Sequence, residues 1–119
     1  MSKMKGAWRN DAVAKVTGRA RYTDDVKHHG MLHAVPVYTD HVHARIREIH
    51  IDEARNIPGV VRVITAKDVP GTTVFGQIQK DFPILASDKI CSHGDVVAVA
   101  VATGRTIACE AAEAVRVDV

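Results

Sequence analysis

The sequence predicts an α+β fold: a mixed β-sheet, a C-terminal helix packed on it, and short helical turns at the corners. Three stretches carry that expectation. Residues 96–102 read VVAVAVA without a polar interruption, the pattern of a strand covered on both faces. Ile107, Ala108, Ala111, Ala112 and Val115 then recur at helical spacing, with Glu110 and Glu113 turned outward. Residues 43–65, HARIREIHIDEARNIPGVVRVIT, read as strand, one turn of helix, tight turn and second strand, a β-α-β arch.

Composition bounds the function. At 119 residues the chain is one domain's worth, enough for a single core. A 46% hydrophobic and 25% charged composition excludes a disordered or collagen-like chain. Aromatics are only 4%, so Val, Ile, Ala and Leu must build the core, which favours strands. Sixteen basic residues against 14 acidic ones leave a net charge of +2, and the basic residues are scattered. No concentrated phosphate-neutralising face results, so nucleic acid is not an expected partner. The apolar run 96–102 is far too short to span a bilayer, so no membrane is expected either. Cys91 and Cys109 lack a CxxC spacing and any secretory signal, which predicts two free thiols in a reducing, cytoplasmic setting.

The elements follow in order. Residues 1–8, MSKMKGAW, read as a disordered leader, with structure starting near Asn10. Asn10 or Asp11 can cap a short helix through Val16, and Gly18 is its natural stop. A polar, turn-like RARYTDD follows. After a turn at His28-His29-Gly30, residues 31–39 alternate as a strand with both faces partly apolar. Pro36 removes a ladder donor there, which predicts an edge strand or a bulge.

Within residues 44–51 the alternation changes phase: Ile46 sits on one face, Ile49 and Ile51 on the other. Either a bulge near Arg47-Glu48 re-aims the strand or both faces are covered, and the bulge is the favoured expectation. Asp52 is placed to cap residues 52–56, Pro58 ends that helix, and Gly59 supplies the positive φ of a type II turn. Val60, Val61, Val63 and Ile64 then predict a central strand covered on both sides. Thr65 can cap one helical turn that Pro70-Gly71 ends.

Gly71 and Gly76 imitate the glycines of a P-loop, but Gln77-Ile78 stand where Lys and Ser or Thr are required, so nucleotide binding is not expected. Phe82-Pro83 reads as extended, Ile84-Leu85 as packing inward, and Ser87-Asp88 as a turn. Thr103 is the expected cap of a helix over 105–114, followed by a return strand over 116–119. Cys109 lies beside the apolar stripe with no local histidine base, a packed or rim thiol. His41 and His43 would point to one side of a strand as a metal pair does, but no third ligand has a companion spacing. A small metal protein using His28, His29, His33, His41 and His43 would be recognised by metal analysis of untagged protein.

Several spaced matches point to a family. HARI at 43–46, Ile51-Asp52, Ala54, PGVV at 58–61, Val63, Thr65 and KDVPG at 67–71 are the first set. Arg9, Asp11, Ala12, Lys15, Val16, Thr17, Gly18, Ala20, Tyr22, Thr23 and Asp25 are the second. Asp88, Lys89, Ile90 and Gly94, then Asp95-Val96-Val97-Ala98, are the third. Together they resemble the α/β-hammerhead domain of the molybdenum hydroxylases, the xanthine dehydrogenase and aldehyde oxidase group. The chain departs from that pattern at Thr39-Asp40, where Ser-Pro is usual, and in lacking a proline after Asp95.

The resemblance implies that residues 9–119 are an α/β-hammerhead domain from a larger subunit and hold no catalytic residue. The pterin-binding segments and the catalytic glutamate would lie downstream, so this piece alone would bind no cofactor and be inactive. The parent enzyme would hydroxylate a purine-like heterocycle or an aldehyde with water oxygen at a molybdenum-pterin centre. Iron-sulfur clusters and FAD would sit in partner subunits or domains, and the downstream domains of the same subunit would be its closest partners. The opening segment would pack Val16 and Tyr22 against those neighbours. The loop after KDVPG would line the substrate funnel through Phe75, Gly76, Gln77 and Ile78. There Gly76 would allow the turn, Gln77 offer an amide, and Phe75 or Ile78 form an apolar wall. The plain alternative is an exposed connecting loop with Phe75 tucked into the core. A further alternative is a freestanding protein-interaction module, distinguished by whether the reading frame runs past Val119 into glycine-rich sequence.

Overall fold

The computed structural model describes residues 9–119, and the leader expected at residues 1–8 lies outside the described residues. In chain order the elements are α1 (Ala12–Val16), β1 (His33–Val37), β2 (Ala44–Arg45), β3 (Glu48–His50), α2 (Asp52–Arg55) and β4 (Val60–Thr65). They continue with β5 (Val74–Phe75), β6 (Phe82–Pro83), β7 (Lys89–Ile90), β8 (Ala98–Ala102), α3 (Arg105–Ala114) and β9 (Arg116–Asp118). Single 3-10 turns lie at Thr23–Asp25 and Ala66–Asp68.

The longest apolar run becomes the centre of the fold. β8 is the middle strand of the sheet β1-β8-β4, and the pairs β2-β7, β3-β9 and β5-β6 form separate two-stranded ladders. The α+β class is as expected, although every ladder runs antiparallel. Along β8 the side chains alternate: Ala98, Ala100 and Ala102 are fully buried, while Val99 and Val101 are half-buried. The alanines let the helix come close. Ala108 and Ala111 of α3 are themselves fully buried, and Ala111 and Val115 share a core cluster with Ala54, Val63, Ala98 and Ala100. Small residues on both surfaces allow the layers to meet at close-packed density without large side chains.

Pro36 behaves as its missing N–H requires. β1 is an edge strand in unbroken register with β8, Pro36 lying opposite Val99. The expectation of a central strand at Val60 to Ile64 is corrected, because β4 forms the other edge. Its register slips between Val60 and Arg62, so Val61 is the extra residue of a bulge and is 54% exposed. The adjacent valines therefore reflect a change of phase rather than coverage of both faces.

The phase change at 44–51 also has a different cause from a bulge within one strand. The chain leaves one ladder for another: β2 pairs with β7, β3 with β9. In the gap, the Ile46 N–H donates to the Asp88 carbonyl (2.9 Å) and the Arg47 N–H to the Asp118 carbonyl (2.7 Å). Changing partners mid-run lets Ile46, Ile49 and Ile51 all pack on the core.

Turns and caps are set by small groups. Gly59 has φ +92° and the Val60 N–H donates to the Ile57 carbonyl (3.1 Å), the expected type II turn. Three expected side-chain caps do not form, although Asp11 keeps the cap position of α1. Thr103 does not cap α3: its N–H (3.0 Å) and hydroxyl (3.3 Å) both donate to the Gly59 carbonyl, and Gly104 occupies the cap position. Ile51 stands at the N-cap of α2, leaving Asp52 and Glu53 in the first turn, where their charge suits the helix N-terminus. Asp11 precedes α1, but its carboxylate is held by Arg9 (2.9 Å) and Lys15 (2.8 Å).

Candidate functional site

The segment 71–83 folds into a hairpin. Val74 pairs with Pro83 and Phe75 with Phe82, and the Ile84 N–H donates to the Thr73 carbonyl (2.8 Å) to extend the ladder. The cross-strand rings of Phe75 and Phe82 meet edge to face, centroids 5.1 Å apart at 65°. Such a contact is worth about 0.5–1.5 kcal/mol beyond its buried area, enough to fix so short a pair.

Phe75 is 54% and Phe82 53% exposed, so the alternative of Phe75 tucked into the core is set aside. Ile78 at the tip is 99% exposed and Gln77 is exposed beside it. Gly76 has φ +159°, and a Cβ there would strike the Gln79 carbonyl, so the tip closes over a glycine because no side chain fits. Ile84 is exposed, correcting the expectation that it packs inward, while Leu85 is buried as expected and Ala86 is buried with it. The P-loop likeness has no geometric basis, since β5 separates Gly71 from Gly76 and no continuous glycine loop exists to cradle a phosphate.

Two carboxylates order the turns that precede and follow the hairpin segment. On the leading side, Asp68 Oδ2 accepts from the Thr65 N–H (2.9 Å) and hydroxyl (3.1 Å), and Oδ1 accepts from Arg62 (2.8 Å). The Thr65 N–H first, then Arg62 and the Thr65 hydroxyl, lower its pKa to about 2. On the trailing side the buried Asp95 accepts from the N–H groups of Cys91 (2.7 Å) and Ser92 (3.1 Å) and from the Ser92 hydroxyl (2.7 Å). The Cys91 N–H, with Ser92, keeps that carboxyl below its usual range despite the opposing cost of burial. Behind it the Ala86 N–H donates to the Val96 carbonyl (2.8 Å), tying the segment to the strand that enters the core. The supporting role of Asp68 and Asp95 was missed from sequence. The signal was Thr65-x-x-Asp68 and Ser92-x-x-Asp95, the spacing at which a carboxylate reaches back to the N–H and hydroxyl three residues earlier.

The result is a short hairpin whose turn exposes Ile78 between the amides of Gln77 and Gln79, with the Phe75–Phe82 pair at its base. It can offer a wall to a flat or aliphatic molecule and a hydrogen bond to a polar edge. Elsewhere, His41 and His43 lie on the exposed loop between β1 and β2 and not in a strand. Among the described residues no group of three His, Cys, Asp or Glu side chains converges where it can hold a metal ion. Both cysteines are free thiols, Cys91 exposed and Cys109 half-buried. Among the described residues no helix is long and apolar enough to cross a membrane.

Residues 17–119 match the family described as aldehyde oxidase and xanthine dehydrogenase, a/b hammerhead domain. The chain belongs to that family. It is 36% identical over 120 aligned positions to the xanthine dehydrogenase molybdenum-binding subunit of Escherichia coli, covering 92% of this chain and 16% of that protein. It is 38% identical over 107 residues to the carbon monoxide dehydrogenase large chain of Afipia carboxidovorans, covering 85% of this chain and 13% of the other. The fold matches the aldehyde oxidoreductase of Desulfovibrio gigas with a TM-score of 0.86 at 38% identity, covering 92% of this chain and 14% of that one. This hammerhead domain thus spans about a seventh of the length of these relatives. The molybdenum hydroxylase relatives differ in the substrates their names carry, so membership fixes the domain and not the substrate.

Proposed function

We propose that residues 9–119 are the hammerhead domain of a molybdenum-hydroxylase large subunit. Its work is to stand beside the catalytic domains and contribute the β5–β6 hairpin to the substrate approach. The parent enzyme hydroxylates a purine-like heterocycle or an aldehyde with water oxygen. The molybdenum-pterin group belongs to other domains of that subunit, iron-sulfur clusters and FAD to partner domains or subunits, and the assembly is cytoplasmic.

The observation that carries this is the hairpin tip. A fully exposed isoleucine and an exposed phenylalanine pair sit on a short hairpin whose turn also carries the exposed amides of Gln77 and Gln79. Binding residues are often carried on such loops, where apolar side chains stand ready for contact.

The test is to replace Gln77 and Ile78 separately by alanine in the full-length enzyme. Each substitution is expected to raise KM by roughly 3- to 10-fold with kcat little changed, the signature of lost uniform binding worth about 1 kcal/mol. An unaltered KM together with an unaltered order of substrate preference rules the hairpin out of the approach path.

A further inference from the structure

We infer that the β3–β9 ladder is a proton-sensitive latch, held shut when His50 carries a proton and loosened when the imidazole is neutral. This latch is independent of the hairpin's part in substrate approach. β3 and β9 pair with each other alone, apart from the central sheet, through three opposed pairs: Glu48 with Asp118, Ile49 with Val117, and His50 with Arg116. Ile49 and Val117 pack on the core, while the residues on either side of them are exposed and share the outer face.

On that outer face two carboxylates stand directly opposite each other, Glu48 against Asp118, and like charges in opposed positions destabilise a strand pair. The next row holds two basic side chains, but Arg116 is turned to Glu53 of α2 at 3.0 Å. His50 is left as the balancing group, its Nε2 2.9 Å from Asp118 and 4.0 Å from Glu48. The charged groups around the imidazole come from three elements: Glu48 from β3, Arg116 and Asp118 from β9, and Asp52 and Glu53 from α2, while Ala114 of α3 brings none. With the ring neutral, four carboxylates face one guanidinium. Protonation supplies a second cation beside the opposed pair. Asp118, chiefly through its hydrogen bond, raises the His50 pKa above 6.5, so the imidazolium persists where a free histidine has lost its proton. Three residue pairs make a short ladder, and when they part, Ile49 and Val117 lose each other's cover without any opening of the central sheet.

The experiment is amide hydrogen exchange on the full-length subunit, read by mass spectrometry in overlapping peptides that isolate residues 116–118. It is run below pH 6.5 and again at about pH 9, with rates corrected for the intrinsic effect of pH. A histidine whose folded pKa is raised gives protection that is whole below 6.5 and falls as pH rises through the folded value. The fall expected is roughly two- to fivefold, the size an exposed ion pair carries. His50→Gln is expected to show the loosened state at both pH values, and His50→Lys, which stays charged, the tight state at both. His50 is exposed, so neither substitution disturbs the packing. The hairpin, whose opening leaves β3 and β9 joined, is expected to keep its protection throughout. Protection of residues 116–118 that ignores pH, or that changes with pH as much in His50→Gln as in the parent, overturns the proposal. So does an equal fall in the hairpin, which reports a loss across the whole domain instead of an opened latch.

Discussion

At the scale of single residues, His50 joins the first half of the chain to its last strand. Its Nε2 lies 2.9 Å from Asp118 and 4.0 Å from Glu48, with Arg116 close by and itself paired to Glu53 at 3.0 Å. The hydrogen bond with Asp118, helped by the charges of Asp118 and Glu48, raises the His50 pKa above 6.5 against the opposing effects of desolvation and Arg116. The sign follows from linkage. A histidine whose folded pKa exceeds its unfolded one contributes stability that is whole below the unfolded value and disappears as pH rises through the folded value. The melting temperature is therefore expected to fall across that window, and Asp118→Asn to flatten the fall. Nuclear magnetic resonance titration of the His50 ring checks the shift directly, and an unshifted midpoint in the parent chain refutes it. Gly59 gives a second residue-scale prediction. Its φ of +92° strains any other residue, and a Cβ there would approach Ile107 Cδ1 to 2.8 Å, so that side chain would also have to shift. Gly59→Ala is expected to cost about 1–3 kcal/mol in urea denaturation, as strain at a left-handed position does.

At the scale of elements, α3 and β8 meet through alanines, so volume added between them cannot be absorbed. Ala111→Leu is expected to destabilise by about 1–3 kcal/mol or more, measured by thermal melting, while Glu110→Leu on the exposed side stays within about 0.5 kcal/mol. These two elements were legible in the sequence because their signals are local: an unbroken apolar run, and a stripe at helical spacing. The Pro58-Gly59 turn was legible for the same reason. What escaped was decided by partners distant in the chain. The bulge at Val61 exists only against β8, and the exchange of ladders at Ile46-Arg47 depends on Asp88 and Asp118. Thr103 looked like a cap until the Gly59 carbonyl, 44 residues away, claimed its hydroxyl. In the candidate site, the choice of Phe75 to Ile78 came from the resemblance, and the structure shows Phe75, Gln77 and Ile78 exposed. The pairing with Phe82 and the outward turn of Ile84 needed the ladder itself.

At the scale of the whole molecule, a satisfied interior contrasts with several exposed apolar side chains. α3 and α2 cover one face of the central sheet with small, fully buried side chains. On the opposite face Ala34 and Pro36 stay exposed, as do Phe75, Ile78 and Phe82 of the hairpin and Val16 and Tyr22 of the lead-in. KM reports on the hairpin.

The pairing of β3 with β9 has a consequence for how the domain comes into being. Glu48, Ile49 and His50 find their partners only in Asp118, Val117 and Arg116, more than 60 residues later. Synthesis from the N-terminus must then carry Ile49 and Ile51 through nearly the whole domain before their cover emerges from the ribosome, and closing so wide a loop carries an entropic cost. The arch waits for the tail, so a polypeptide stalled before Val117 leaves the ribosome with two isoleucines open to chaperones.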